Sequence, residues 1–400
     1  MTDLNRLILK LDSLVIFSGL RNEPVLGRLY SALRCINKKQ TESAVLRYCD
    51  FVRELYENGG DLSGYVLKYV LEDENIYILK RSRREQAGTL LDECLASELD
   101  TLQQLSELTS AELTGRIEFD GFLPQYTNSE TDISAEYADR VHMIHKLGYG
   151  IYAKHHVFVV NDGVLTPVEY PDPIRLSQLY DYESERQEVI NNTLALLSGK
   201  PANNVLLYGD CGTGKSSSVK AIANEFAPEG LRLIELKKKQ LHEIPSIVEA
   251  ISVNPLKFVI FIDDLSFTED DSDYAALKAI LEGSVSSTAS NLVIYATSNR
   301  RHLVRETFSA RKGDEIHFRD TMQELLSLSD RFGLTVTFQK PDKKLYLDVT
   351  HKLAEQYGIK MDAEELDKKA EAFALARGGR SPRVAKQFIE YLAGRCELPQ

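Results

Sequence analysis

The sequence is poor in cysteine, short of positive charge and without a long apolar run, and each shortage excludes something. Its five cysteines (Cys35, Cys49, Cys94, Cys211 and Cys396) are scattered, odd in number and never spaced C-x-x-C. That pattern argues against a zinc site or redox pair and fits a reducing compartment. Lys and Arg total 48 against 60 Asp and Glu, a net charge of −12. Such a balance argues against sequence-independent binding of phosphate backbones over the whole surface, while leaving room for a local basic patch. No apolar run approaches membrane-spanning length; the longest strand-like one is Phe258–Ile262. Residues 1–12 lead into no apolar segment with a cleavage site. A cytoplasmic location with no membrane partner is therefore expected. Internal repeats, low-complexity tracts, a Ser-His-Asp constellation and a G-x-S-x-G elbow are also missing. His145, His155 and His156 lie in an irregular stretch without matching carboxylate or cysteine spacing, so no metal centre is expected there.

What is present is enough for two or three globular domains: 400 residues, 43% hydrophobic and 27% charged. Up to about residue 110 the apolar positions recur at helical spacing, as in Leu4, Leu7, Ile8, Leu11 and Leu14, or Val45, Cys49, Val52 and Leu55. Gly59-Gly60 followed by Asp61 marks a stop and a new helix start. Residues 111–150 are polar and poorly periodic, with a loop over 126–132. Val157 to Val160, Asn161-Asp162-Gly163 and Val164-Leu165 form a hairpin signal. Pro167, Pro171 and Pro173 make the best linker, which places a boundary near residue 170. Beyond residue 176 short β-rich runs (204–208, 231–236, 258–262, 292–297 and 334–338) alternate with helical patterns. Alternation of this kind predicts an α/β fold with a parallel sheet covered on both faces. Residues 342–400 return to helices. The expected domains are thus 1–170, mainly helical; 171–340, an α/β core; and 341–400, a helical lid.

The chemistry is concentrated in the second half. Gly209-Asp210-Cys211-Gly212-Thr213-Gly214-Lys215-Ser216 fits the pattern G-x-x-x-x-G-K-[ST]. The glycines let the backbone curl so that successive N–H groups face a phosphate. Lys215 supplies a compact cation for β- and γ-oxygens, Ser216 a hydroxyl for Mg²⁺, and the helix starting near Lys215 its positive dipole end. Ser217 adjoins the loop and completes the candidate set. An apolar strand precedes the loop and an amphipathic helix follows it, as that chemistry requires.

Phe258–Ile262 reads as a strand buried on both faces, and it ends in Asp263-Asp264. Asp263 is the expected oxygen ligand for Mg²⁺, and Asp264 the group that orients and polarises the attacking water. Aspartate at 264 has an arm one methylene shorter than glutamate, so hydrolysis is expected to be slow without help from a neighbour. Asn299, after the strand 292–297, has an amide suited to that water or to the γ-phosphate. Arg331, before the last strand, has a planar fork suited to γ-phosphate charge supplied to a neighbouring subunit, or to an ion pair with Asp330. Ser381 and Pro382 open a helix beside Arg383 and Arg380. Those arginines either reach back to the phosphates or are surface cations.

In this order the pieces resemble the AAA+ ATPases. More narrowly, residues from about 170 to 395 resemble an uncharacterised bacterial AAA+ family, catalogued as a domain of unknown function. The likeness rests on 204–209, 262–267, 277–283, 295–303, 327–333 and 378–383. It implies an αβα P-loop core, a C-terminal helical lid, ATP with Mg²⁺, and assembly of identical subunits into a ring or filament. By the resemblance Lys215 is the Walker A lysine, Asp263 and Asp264 the Walker B pair, Asn299 sensor 1, Arg331 the arginine finger and Arg383 sensor 2. Tyr180 and Tyr182 resemble the adenine-contacting segment, while Pro382 departs from the small residue expected there. The paired aspartates and Asp330 to Gly333 also resemble replication initiators and helicase loaders. Residues 1–170 carry no comparable likeness.

Three functions follow as expectations: an oligomeric ATP-driven switch or remodeller of a protein partner, a nucleic-acid-linked loader or initiator-like ATPase, and a non-hydrolysing ATP-stabilised scaffold. Lys237-Lys238-Lys239 stands where a polypeptide-threading ATPase would carry an aromatic grip. The run, like Lys80 to Arg84, is either a phosphate contact or a solvated face.

Overall fold

Val157–Asn161 (β1), Val164–Pro167 (β2), Val205–Gly209 (β3), Leu231–Leu236 (β4), Lys257–Ile262 (β5), Leu292–Ser298 (β6) and Leu334–Phe338 (β7) hydrogen-bond into one sheet. Its order is β2-β1-β4-β5-β6-β3-β7. The computed structural model describes residues 3–266, 277–278, 280–281, 290–299 and 331–394, which divide into two units, Met1–Lys154 and His155–Gln400.

In the second unit β4, β5, β6, β3 and β7 are mutually parallel. Five of the six residues of β5 are buried, as are five of the six of β4. Burial on both faces is why these strands are continuous apolar runs rather than alternating ones. Crossover helices at Lys215–Phe226 and Ile244–Ile251 carry the chain from β3 to β4 and from β4 to β5, and the helix Glu183–Leu197 leads from the hairpin into β3. Three further helices, Lys343–Gln356, Ala363–Ala376 and Pro382–Ala393, share a small core of their own around Tyr346, Ala370, Phe388 and Ile389. Strand order, parallel pairing and the loop after β3 make this an α/β P-loop fold of the AAA+ type.

The boundary expected near residue 170 falls instead between 154 and 155. The hairpin is part of the sheet: Val157, Phe158 and Val159 of β1 pair in parallel with Leu233, Ile234 and Glu235 of β4, and β2 closes antiparallel on β1. Edge backbone groups of β4 need partners, and the hairpin supplies them. Pro167, a linker signal in the sequence, closes β2 at the sheet's outer edge, where a missing N–H breaks no inner ladder.

The first unit is helical. Pro24–Asn37 and Thr41–Glu57 are joined by a short turn with Lys39 at φ +53°, and pack with Leu62–Glu72 and Thr89–Ser106 around Leu29, Phe51, Val66 and Leu102. Asp61 is the N-cap of the helix that follows Gly59 and Gly60, both at positive φ. Residues 111–150, unpromising in sequence, include the helix Ile133–His142, capped by Asp132. Glu98 is only 5% exposed. Its carboxylate accepts the backbone N–H groups of Val15 (2.7 Å), Ile16 (3.1 Å) and Phe17 (3.0 Å). Glu98→Ala is expected to cost about 3 kcal/mol of stability, since buried N–H groups lose a charged acceptor. Denaturant unfolding followed by circular dichroism measures it, and a loss under ~0.5 kcal/mol would contradict this role.

Among the described residues no helix is long and apolar enough to cross a membrane. His156 lies 2.9 Å from the Asn224 amide oxygen, and no group of three or more His, Cys, Asp and Glu among those residues could hold a metal ion.

Candidate nucleotide-binding site

β3 ends at Gly209, whose φ of +136° favours glycine. A Cβ there would stand 2.0 Å from the Phe338 carbonyl oxygen on β7, so only glycine lets the neighbouring strand approach. The chain then turns through Gly212 and Gly214, at φ +78° and +93°, into the helix beginning at Lys215. That loop lies at the C-terminal ends of the parallel strands, where open α/β sheets place ligands.

Lys215 is 6% exposed. Its ammonium donates to the carbonyl oxygens of Gly209 (2.9 Å) and Asp210 (2.7 Å) and to Asn299 Oδ1 (3.1 Å). Burial holds its pKa below the ordinary lysine value, against the upward pull of Cys211, Asp210, Asp263 and Asp264. Asp210 braces the loop, accepting the Lys340 N–H on Oδ2 (2.9 Å) and the Thr213 hydroxyl on its carbonyl (2.9 Å).

β5 delivers the acids to the same place. The Ser216 hydroxyl donates to Asp263 Oδ1 over 2.6 Å, and Asn299 Nδ2 donates to Asp264 Oδ1 over 2.8 Å. The amide of Asn299 therefore links the lysine to Asp264. Hydroxyl and carboxylate oxygens are the ligands of a hard divalent cation, so Ser216 and Asp263 fit Mg²⁺.

These groups line the polar end of a pocket of about 740 Å³, a size suited to a small-molecule ligand. Cys211 to Ser217, Asp263, Asp264, Thr297 and Asn299 line that end. Ile174, Leu179, Tyr180, Val349, Leu353 and Tyr357 give the other end an apolar wall. Tyr180 donates from its hydroxyl to Gln356 Oε1 (3.2 Å) on the lid helix 343–356. Arg383 also lines the pocket, and its N–H donates to the Gly212 carbonyl (3.2 Å).

Three candidates stand elsewhere. Tyr182 is buried in the sheet core, its ring 5.4 Å from that of Phe338 and its hydroxyl donating to the Gln339 carbonyl, so it packs rather than lines the pocket. Arg380 grips Glu371 through Nε (2.8 Å) and Nη2 (2.6 Å). That bidentate pair occupies the planar fork, and Arg380 does not line the pocket. Arg331 is half-buried just before β7, at the end of the sheet opposite the loop. Asp330, Arg300, Arg301 and residues 279, 282 and 283 lie outside the described residues.

Two pocket residues have no counterpart in the sequence reading. Arg186, 6% exposed, donates to the Leu179 carbonyl (2.9 Å), and burial lowers its pKa despite Glu183, Asp181 and Glu185. Thr297 touches both acids of the β5 terminus. The one available signal was a hydroxyl interrupting the apolar run of β6.

Residues 153–396 match the family described as "Protein of unknown function (DUF815)". Curated relatives include the replication factor C large subunits of Sulfolobus acidocaldarius, 28% identical over 116 residues (28% of this chain, 26% of that protein), and of Staphylothermus marinus, 28% identical over 117 residues (27% of each). The chain spans about a quarter of the length of these relatives. Similar solved structures include a Thermotoga maritima RuvB variant (TM-score 0.38, 16% identity, 55% of this chain and 63% of that one). Another is the FIGL-1 AAA domain in complex with ADP (TM-score 0.36, 16% identity, 56% and 74%).

Proposed function

The chain belongs to the DUF815 family, and from the site within its matched segment we propose that it is an AAA+ ATPase, working as an oligomeric switch or remodeller of a protein partner. The observation that carries this reading is that the Lys215 ammonium, the Asn299 amide and Asp264 are joined by hydrogen bonds in one pocket, where the Ser216 hydroxyl also donates to Asp263.

On this reading the glycine-bent backbone and Lys215 bind the triphosphate, and Arg383 closes the pocket from the lid side. Asn299 and Asp264 orient a water towards the γ-phosphorus. A new P–O bond forms, the β–γ bridging P–O bond breaks, and Asp264 takes the proton that the water loses before it passes to phosphate. Ser216 and Asp263 would hold Mg²⁺, which neutralises phosphate charge when bound. Residues 1–154, with a core of their own, are the candidate partner-binding part.

Because Arg331 would act on a neighbour's nucleotide, specific turnover should rise with protein concentration, by tenfold or more across the assembly transition. Phosphate release measured from low nanomolar to high micromolar protein tests this. No ATP uptake by calorimetry at millimolar nucleotide would overturn the reading; a concentration-independent rate would overturn its assembly part.

A second reading, action on nucleic acid, is favoured by Lys237 to Lys239 at the C-terminal end of β4. It predicts ATP-dependent DNA binding that weakens steeply with salt; no binding at low salt would remove it.

A further inference from the structure

β6 is apolar and buried until it reaches the phosphate loop's level, where Thr297 interrupts it. The side chain is nearly closed off, at 2% exposed. Its hydroxyl donates to Asp263 Oδ1 over 2.5 Å and accepts the Asp264 N–H over 2.9 Å. Its carbonyl accepts the Leu265 N–H over 2.7 Å. One threonine thus holds three consecutive residues of the β5 terminus.

Asp264 adopts φ +53°, a left-handed conformation rare for residues other than glycine. Such strain persists only where surrounding contacts over-determine the backbone. Here those contacts are the Thr297 hydroxyl and carbonyl, on either side of the strained peptide. The division of labour is explicit. Asn299 fixes the Asp264 carboxylate, whereas Thr297 fixes its backbone and, separately, the oxygen of Asp263 that also accepts from Ser216.

We propose that Thr297 is the positioning residue of the acidic pair: its hydroxyl sets the Asp263 carboxylate for Mg²⁺ and pins the turn that presents Asp264 to the attacking water. This rests on the ATPase reading above. A hydroxyl with one proton and free lone pairs is what the position needs, because it must donate to one aspartate and accept from the next. Valine matches the shape and can do neither; serine does both.

The test compares full-length wild type, Thr297→Val and Thr297→Ser. Calorimetry measures ATP affinity with and without Mg²⁺, and phosphate release measures turnover. Thr297→Val should lose most of the Mg²⁺-dependent gain in ATP affinity while metal-free affinity stays within threefold. Its turnover should fall roughly 30- to 100-fold, as misplacement of a reacting group commonly does. Thr297→Ser should stay within about threefold of wild type throughout. The proposal is overturned if Thr297→Val keeps both its Mg²⁺ response and its turnover, or if Thr297→Ser falls as far as Thr297→Val. Wild type that binds ATP but never hydrolyses it would defeat the ATPase reading, and the Mg²⁺ arm would still decide on Thr297. Wild type that takes up no ATP overturns both.

Discussion

Lys215→Ala should remain folded and bind ATP at least about 100-fold more weakly than wild type, with turnover below detection. The ammonium already sits among two loop carbonyls and Asn299, waiting at the polar end of the pocket rather than in solvent. A phosphate would exchange those neutral acceptors for anionic ones, and no other lysine lines the loop side of the pocket among the described residues. Thermal unfolding separates this from a folding defect. Saturating ATP at 100 times its dissociation constant should stabilise wild type by about 2.7 kcal/mol and the variant by almost nothing.

The same variant carries a pH signature. Burial holds the Lys215 pKa below its unfolded value, so the unfolded chain binds the extra proton more readily. Stability therefore rises with pH in the window between the folded value and the ordinary 10.5, and the cost of the buried charge is present in full below that window. Without nucleotide, Lys215→Ala should melt no lower than wild type at pH 7, with its relative advantage shrinking as pH approaches 10.5. An ATP response equal to wild type, or collapse of the fold at neutral pH, would sink this account of the lysine.

The second large effect belongs to Arg331. Leu334 opens β7 beside Val205, whereas Phe338 closes it beside Gly209 and the phosphate loop. Five residues of strand span about 17 Å, and Arg331 precedes even the first of them. Its side chain cannot cover that length, so any work on phosphate is done in a neighbour's site. Arg331→Ala should keep ATP affinity within a few-fold and lose about 10³-fold in turnover. Mixing it with Lys215→Ala should restore activity. One variant keeps the lysine, the other the arginine, and a 1:1 mixture pairs them at roughly a quarter of its interfaces. If the Arg331 variant hydrolyses like wild type, or the mixture stays silent, the trans role is wrong.

Much of the core was legible because its signals are local. The bounds of β4 and β7 coincide with the apolar runs at 231–236 and 334–338, the helices return at Lys343 beside the expected 342, and the last of them opens at Pro382 as expected. Caps explain the latter: Asp342, Asp362 and Ser381 each accept an N–H of the first turn. The phosphate loop was legible for the same reason, since its glycines and lysine are consecutive. The hairpin's turn is legible in the sequence, but its membership of the second unit is not. Its own turn is local, whereas its pairing with β4 joins residues more than 70 positions apart.

The misplaced side chains follow the same division. Tyr182 and Arg380 had suitable chemistry at a suitable distance along the chain. Their directions were decided by Phe338 and Glu371, which composition near them does not announce. Thr297 was invisible for the opposite reason: a threonine in a strand is ordinary until a second strand places two aspartates beside it.

Taken alone, the sequence determined the alternation of strand and helix, the phosphate loop with its cation, and the paired acids at a strand end. All of these are carried by neighbouring residues, whose periodicity and backbone freedom are fixed before folding. The tertiary structure decided which strand edge the hairpin joins, which arginine faces the loop and which hydroxyl orients the acids. Those outcomes depend on hydrogen-bond partners distant in sequence, and a partner is chosen only when the sheet brings it within about 3 Å.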